Sequence, residues 1–155
     1  MLSWKNSFIK NYKLITILVM SFLYIFIGAK HFTEPQYFVN ITPPQVQHKL
    51  FAVYFTGVLE ILGGLLILNK KTRMIGAYTL IFLLIVVFPA NIYLYLSEIP
   101  QQLLGISKTQ ALTRMPFQAP LILLAYWHSK ENHPKWVAYL SLLVFPPTII
   151  YFLSI

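Results

Sequence analysis

Four apolar stretches, Leu14 to His31, Leu50 to Leu68, Met74 to Leu96 and Trp136 to Ile155, limit what this chain can fold into. A bilayer core about 30 Å thick takes about 20 predominantly apolar residues per helix, and each stretch approaches or meets that length. In lipid every backbone N–H and C=O must be satisfied within its own segment, so stretches of this kind predict helices. The expected fold is all-α: a polytopic membrane four-helix bundle with a fifth transmembrane helix at the C-terminus. A further segment, Arg114 to Trp127, is short by apolar count. It reaches across if its helix begins near Thr109 and buries Gln118. No repeat or linker divides the chain, so residues 1–155 read as one membrane domain, with a core over 14–128 and an additional hydrophobic segment over 136–155.

Composition supports the same solvent. Hydrophobic residues make up 57% of the chain and charged ones 10%, against about 25% charged in soluble domains. Lys and Arg outnumber Asp and Glu by 12 to 4, but these cations sit between apolar runs rather than on a basic helix, which excludes a nucleic-acid partner and points to the lipid bilayer. With five crossings, Lys5, Lys10, Lys13, Lys70, Lys71, Arg73, Lys130 and Lys135 share one side; Lys30, Lys49, Lys108 and Arg114 share the other. The richer side is expected to be cytoplasmic, which places the N-terminus inside a bacterial inner membrane. Trp4, Trp127 and Trp136 then fall at the cytoplasmic interface as anchors. The first apolar run resembles a signal peptide but lacks an A-x-A-like cleavage site, so an uncleaved first span is expected. Between Phe32 and Lys49, Pro35, Pro43 and Pro44 deny a long helix and predict an ordered cap.

Polar chemistry concentrates on few residues. Glu60 lies near the middle of an apolar span, where an ionised side chain costs about 2.5 to 3.5 kcal/mol. Burial there favours its neutral, hydrogen-bond-donating form. Thr56, Gly57 and Gly64 lie on the same helical face, a stripe that lets another backbone approach. Tyr24, Gly28 and His31 share a face of the first helix, with Lys30 beside them. Pro89 frees a carbonyl that Asn91 is placed to satisfy, and Arg114 and Gln118 open the fourth segment four residues apart. By depth, Tyr24, Lys30, His31, Thr56, Glu60, Asn91, Arg114 and Gln118 are expected to converge on a ligand pocket open to the outer leaflet. The bland alternatives are a neutral Glu60 that ties two helices together, His31 and Lys30 as interface anchors, and Asn91 as a partner of the proline kink. Cysteine is absent, and the histidines lie at mismatched depths, so neither a metal site nor haem ligation is expected.

Several runs taken together resemble the DoxX-like family of small bacterial membrane proteins. They are Gly28-Ala29-Lys30-His31-Phe32 with Pro35, Thr56 through Gly64, Phe88-Pro89-Ala90-Asn91, and Arg114-Met115-Pro116-Phe117-Gln118. The similarity covers roughly Leu14 to Trp127. It implies a four-helix membrane bundle and relatives that include the membrane subunit of a thiosulfate:quinone oxidoreductase, a protein of methylamine utilisation and members associated with redox stress. The segment from Trp136 onward departs from that pattern.

Three functions fit these residues. The first is a quinone-interacting membrane subunit of an electron-transfer or redox system, fed by a redox protein partner. The second is a non-enzymatic assembly or scaffold protein. The third is a small proton-coupled permease, which as a homo-oligomer would make up for the few spans and the lack of paired halves.

Overall fold

The computed structural model describes residues 2–153, with side chains from 7 to 152. The side chains of Trp4 and Lys5, and the final residues Ser154 and Ile155, lie outside the described residues. Among the described residues eight helices form: α1 Leu2–Thr33, α2 Pro35–Ile41, α3 Lys49–Leu68, α4 Arg73–Leu96, α5 Glu98–Leu104, α6 Lys108–Arg114, α7 Gln118–Ser129 and α8 Lys135–Leu153. No strand occurs among the described residues. Among the described residues four segments are long and apolar enough to cross a membrane: Ser7–Thr33, Lys49–Leu68, Arg73–Leu96 and Lys135–Phe152. The chain is therefore an all-helical membrane protein.

Small residues set the packing of α1 on α3. Ser21 lies against Gly64, where its hydroxyl donates to the Gly64 carbonyl at 2.7 Å. Seven residues further along α1, Gly28 meets Gly57: a Cβ at Gly28 would come within 2.9 Å of the Gly57 carbonyl. The two pairings run in opposite directions along the helices, so α1 and α3 are antiparallel, with backbones in close contact. The stripe expected from Gly57, Glu60 and Gly64 is this seam. On the other side of α3, Gly63 and Gly76 perform the same service for α4, since a Cβ at Gly76 would stand 2.9 Å from the Gly63 carbonyl. In lipid, where apolar burial gives helices little reason to associate, such close approach supplies the packing contacts that do.

Polar groups close the α3–α4 turn. Arg73 is buried, and its Nε donates to the Ile67 carbonyl at 2.9 Å and its Nη2 to the Leu68 carbonyl at 3.2 Å. Thr72 donates to the Leu66 carbonyl at 2.9 Å. These are the carbonyls that a helix C-terminus leaves without intrahelical partners. Arg73, counted in the sequence as a flanking charge, is thus a cap for α3.

The fourth segment corrects the expectation of one helix from near Thr109. It breaks into α6 and α7 across Met115–Phe117. Pro116 has no N–H, and in a continuous helix the Pro120 ring would collide with the carbonyl of Pro116. Short-range bonds, Gln118 N–H to Met115 at 3.1 Å and Ala119 N–H to Pro116 at 3.3 Å, replace the helical ladder there. Pro120 then falls in the first turn of α7, where a missing N–H removes no helical bond. With 12 residues, α7 extends about 18 Å at 1.5 Å per residue.

The helix ends gather into two groups. At one, Lys13 of α1 donates to the Lys130 carbonyl, Thr16 meets His128, and Arg73 pairs with Glu131 at 3.5 Å. At the other, Arg114 donates to Tyr37, and Phe117 stacks on Tyr151 of α8 with ring centroids 4.0 Å apart. Ile17, Met20, Tyr24, Ile67, Leu80, Leu83, Leu124 and Trp127 fill the core between them. Trp127 was expected as an interface anchor; the structure instead buries it in this core, with the Lys13 ammonium 5.6 Å above its ring. Trp136 is 60% exposed.

Candidate functional site

His31 and Glu60 reach each other across the glycines of the α1–α3 crossing. Gly28 and Gly57 draw the helices together, and each side chain starts from the opposite helix's glycine: the His31 Cβ rests on Gly57 and the Glu60 Cβ on Gly28. His31 Nε2 stands 3.2 Å from Glu60 Oε2, with both side chains nearly buried, 7% and 12% exposed. On its other edge His31 Nδ1 lies 2.8 Å from the Val53 carbonyl. A carbonyl only accepts, so Nδ1 carries a proton and donates it. Thr56 closes this side: its hydroxyl donates to the helix carbonyls of Ala52 and Val53 and lies 3.2 Å from Nδ1.

With Nδ1 committed, Nε2 is the atom that faces the carboxyl group. One proton between them, whether the pair stands as neutral imidazole and carboxylic acid or as imidazolium and carboxylate, would give it zero net charge, the state in which an ionisable pair is tolerated at this depth. The alignment is incomplete, however: Glu60 Oε2 is buried and has no hydrogen-bond partner, and the same is true of the Tyr24 hydroxyl. Tyr24 lies within electrostatic range of Glu60. The pair is therefore under-satisfied on the Glu60 side.

The cap between α1 and α3 completes the surroundings. The segment expected to form an ordered cap contains α2, with Pro35 at its first turn. Phe38 of α2 lies against the His31 ring with centroids 3.6 Å apart, and Tyr37 packs edge-on to Phe38 at 5.2 Å. Arg114 Nη2 donates to the Tyr37 hydroxyl at 2.8 Å. A continuous chain of contacts thus runs Arg114, Tyr37, Phe38, His31, Glu60.

Of the eight residues singled out in sequence, Tyr24, His31, Thr56 and Glu60 come together, and Arg114 joins them through α2. Lys30 does not: it faces away, paired with Glu34 at 3.6 Å and lying over the Phe26 ring. Asn91 is half-buried in α4 and its side chain hydrogen-bonds to none of the described residues, so it does not satisfy the carbonyl freed by Pro89. Gln118 is 6% exposed, as its buried place required, but it lines a groove of about 310 Å³ between α4 and α7 with Leu84, Phe88 and Met115. A second groove of about 450 Å³ runs along α3 and α4 past Leu59 and Tyr78. Neither groove is lined by His31 or Glu60. Of the residues expected to share one pocket, His31 and Glu60 thus form a nearly buried pair, while Gln118 lines a groove apart from them.

Tyr37 and Phe38 were missed because the prolines marked their segment only as a cap. A second polar cluster was also missed. His128 is fully buried, with Nε2 2.9 Å from the Thr16 hydroxyl. Thr16 donates its own proton to the Lys13 carbonyl at 2.8 Å, so His128 Nε2 is the donor and Nδ1 is left without a partner. Nearby His133, between α7 and α8, titrates below the ordinary histidine range, through partial burial and then the charges of Lys13 and Lys130. Thr16 and His128 are far apart in sequence, and no local pattern joins them. Among the described residues no group of three or more His, Asp or Glu is placed to hold a metal ion.

Residues 20–129 match the family model described as a domain of unknown function, DUF8561. The chain belongs to the DUF8561 family. No curated protein and no solved structure matches it. The DUF8561 region takes in all eight residues singled out above, together with Tyr37, Phe38 and His128, and ends at the last residue of α7, so α8 lies outside it.

Proposed function

We propose that this DUF8561 protein is a DoxX-like membrane subunit of a redox system, in which the His31–Glu60 pair exchanges a proton with a lipid-soluble quinone. The observation that carries the reading is the 3.2 Å approach of Nε2 to Oε2, with Nδ1 held by the Val53 carbonyl. A quinone takes up two electrons and two protons to become a quinol; the electrons come from a partner protein, because the chain has no cysteine. The pair delivers or accepts one of the protons at Glu60, and Tyr24 and Oε2 offer hydrogen-bond partners to a ligand oxygen. In this reading α6 and α7 together make a fifth crossing. The ends joined by Lys13, Lys130, Arg73 and Glu131 face the cytoplasm of a bacterial cell, with the N-terminus inside, in keeping with the excess of cations there.

Glu60→Gln tests it. The amide keeps the size of the acid and can donate to a neutral His31 Nε2, so the contact is retained while the acidity is removed. Quinol-linked activity in membranes is expected to fall at least tenfold, with the protein still present at wild-type level. Unchanged activity would remove the proton role.

One observation favours a scaffold instead: the pair is nearly buried and lines neither groove, and Gly28, Gly57 and Gly64 lock α1 to α3 around it. On that reading Glu60→Gln is fully functional, a large residue at Gly64 abolishes assembly, and affinity isolation recovers a stable partner.

A further inference from the structure

Neither of the grooves described above is lined by His31 or Glu60, and the element packed against the His31 side of the pair is α2. This helix has seven residues, none of them buried. It lies over the end of α1 and the start of α3, held down by Phe38 on the His31 ring and by the hydrogen bond from Arg114 to Tyr37. Arg114 is unusual in turn. Among the described residues no carboxylate lies within ion-pair distance of it, and its hydrogen bond to the neutral phenol of Tyr37 leaves most of its donors unused. A guanidinium beside the bilayer without a counter-charge is costly unless something oxygen-rich shares the site.

Taking the His31–Glu60 pair as the ligand site, as proposed above, we infer that Phe38 occupies the position of the ligand's ring, that α2 is the lid over it, and that Arg114 is the group that binds a ring oxygen. The ligand class is a planar ring bearing carbonyl or hydroxyl oxygens on an apolar tail. Exchange of one ring for another against His31 keeps the stacking contact and the buried apolar area nearly constant, so the site needs no standing cavity. When the lid lifts, Tyr37 leaves Arg114, whose planar fork then donates to an oxygen of the incoming ring. At the other edge of the ring, Glu60 Oε2 and the Tyr24 hydroxyl, both buried without partners, gain one. The closed lid taxes binding: apparent affinity falls by the fraction of molecules in which α2 is open.

The test titrates the full chain in lipid nanodiscs with a decyl-substituted benzoquinone, reading binding by quenching of intrinsic tryptophan and by mass spectrometry of retained ligand. Tyr37→Phe keeps every ring and removes only the latch, so it is expected to fold as the wild type does. Loss of one hydrogen bond to a charged group predicts binding roughly tenfold tighter or more. Phe38→Ala is expected to tighten binding at least as much, Arg114→Gln to weaken it about tenfold, and decanol, which has the tail without the ring, to leave the signal unchanged. If Tyr37→Phe and Phe38→Ala bind no tighter than wild type while Glu60→Gln still weakens binding, the lid is wrong and the site stands. If Glu60→Gln leaves binding untouched, the benzoquinone sits elsewhere, as in the groove beside Gln118, and both fall; absence of binding in every variant overturns both as well.

Discussion

At the scale of single residues, the glycines of the α1–α3 seam do as much for the site as the groups that carry its chemistry. At Gly57 an added Cβ would lie 2.6 Å from the His31 Cβ and 3.1 Å from the Gly28 carbonyl. Neither neighbour is the free end of a flexible chain, so Gly57→Ala must push the helices apart. Overpacking of this kind costs about 1 to 3 kcal/mol. The expected result is a lowered thermal midpoint in detergent and, because the His31 Cβ rests directly on Gly57, loss of activity even in the fraction that stays folded. Gly105→Ala is the control. That residue caps α5 at φ 62° with nothing within 4 Å of an added Cβ, so about 1 to 2 kcal/mol of backbone strain should appear with the site intact. Gly57, Glu60 and Gly64 were legible as a stripe in the sequence, since helical spacing alone places them on one face. That His31 is the partner of Glu60 was not legible: matching depth allowed it, but only the Gly28–Gly57 crossing brings these two side chains together and turns Lys30 away.

At the scale of elements, lipid asks that each helix end be finished, and this chain does so with side chains that look like surface charges in sequence. Arg73 is the clearest case, with two bonds to α3 carbonyls and one ion pair to Glu131, whose own side chain is 68% exposed. The two kinds of contact are expected to differ in worth. Arg73→Ala leaves buried carbonyls without partners, at about 1 to 3 kcal/mol for each, whereas an ion pair with an exposed carboxylate contributes about 0 to 1 kcal/mol. Thermal unfolding should show a drop for Arg73→Ala that salt does not alter, and next to none for Glu131→Gln. Equal losses would mean that the ion pair, not the cap, holds the α3–α4 turn. The break between α6 and α7 teaches the converse. Pro116 and Pro120 were visible in sequence, but hydropathy, which counts apolar residues without regard to missing N–H groups, carried one helix across them. The local rule that a proline collides with the carbonyl four residues back was the better guide there. Where no proline intervenes until late, as in α3 and α4, apolar length gave the helices nearly as they form.

At the scale of the whole molecule, the two clusters of helix ends make the proposed orientation testable with few assumptions. Lys13, Arg73, Lys130 and Glu131 belong to one end and Tyr37, Arg114 and Tyr151 to the other, by direct contacts. The chain has no cysteine, so a single introduced thiol reports its own side. Thr33, exposed at the end of α1, and Lys71, exposed in the α3–α4 turn, suit this purpose; Thr72 does not, because its hydroxyl caps the Leu66 carbonyl. In intact cells an impermeant maleimide is expected to label Thr33→Cys and not Lys71→Cys, with both labelled after lysis. The same logic decides whether α6 and α7 cross. Lys130, exposed beyond α7, contacts Lys13 through its backbone, so Lys130→Cys must behave as Lys71→Cys does and Lys108→Cys, exposed at the start of α6, as Thr33→Cys does. Labelling of Lys71→Cys from outside would reverse the orientation and leave the His31–Glu60 site facing the cytoplasmic leaflet. Labelling of Lys108→Cys and Lys130→Cys from one side only would make α6 and α7 a re-entrant element, and the two clusters could then no longer lie at opposite faces of the bilayer.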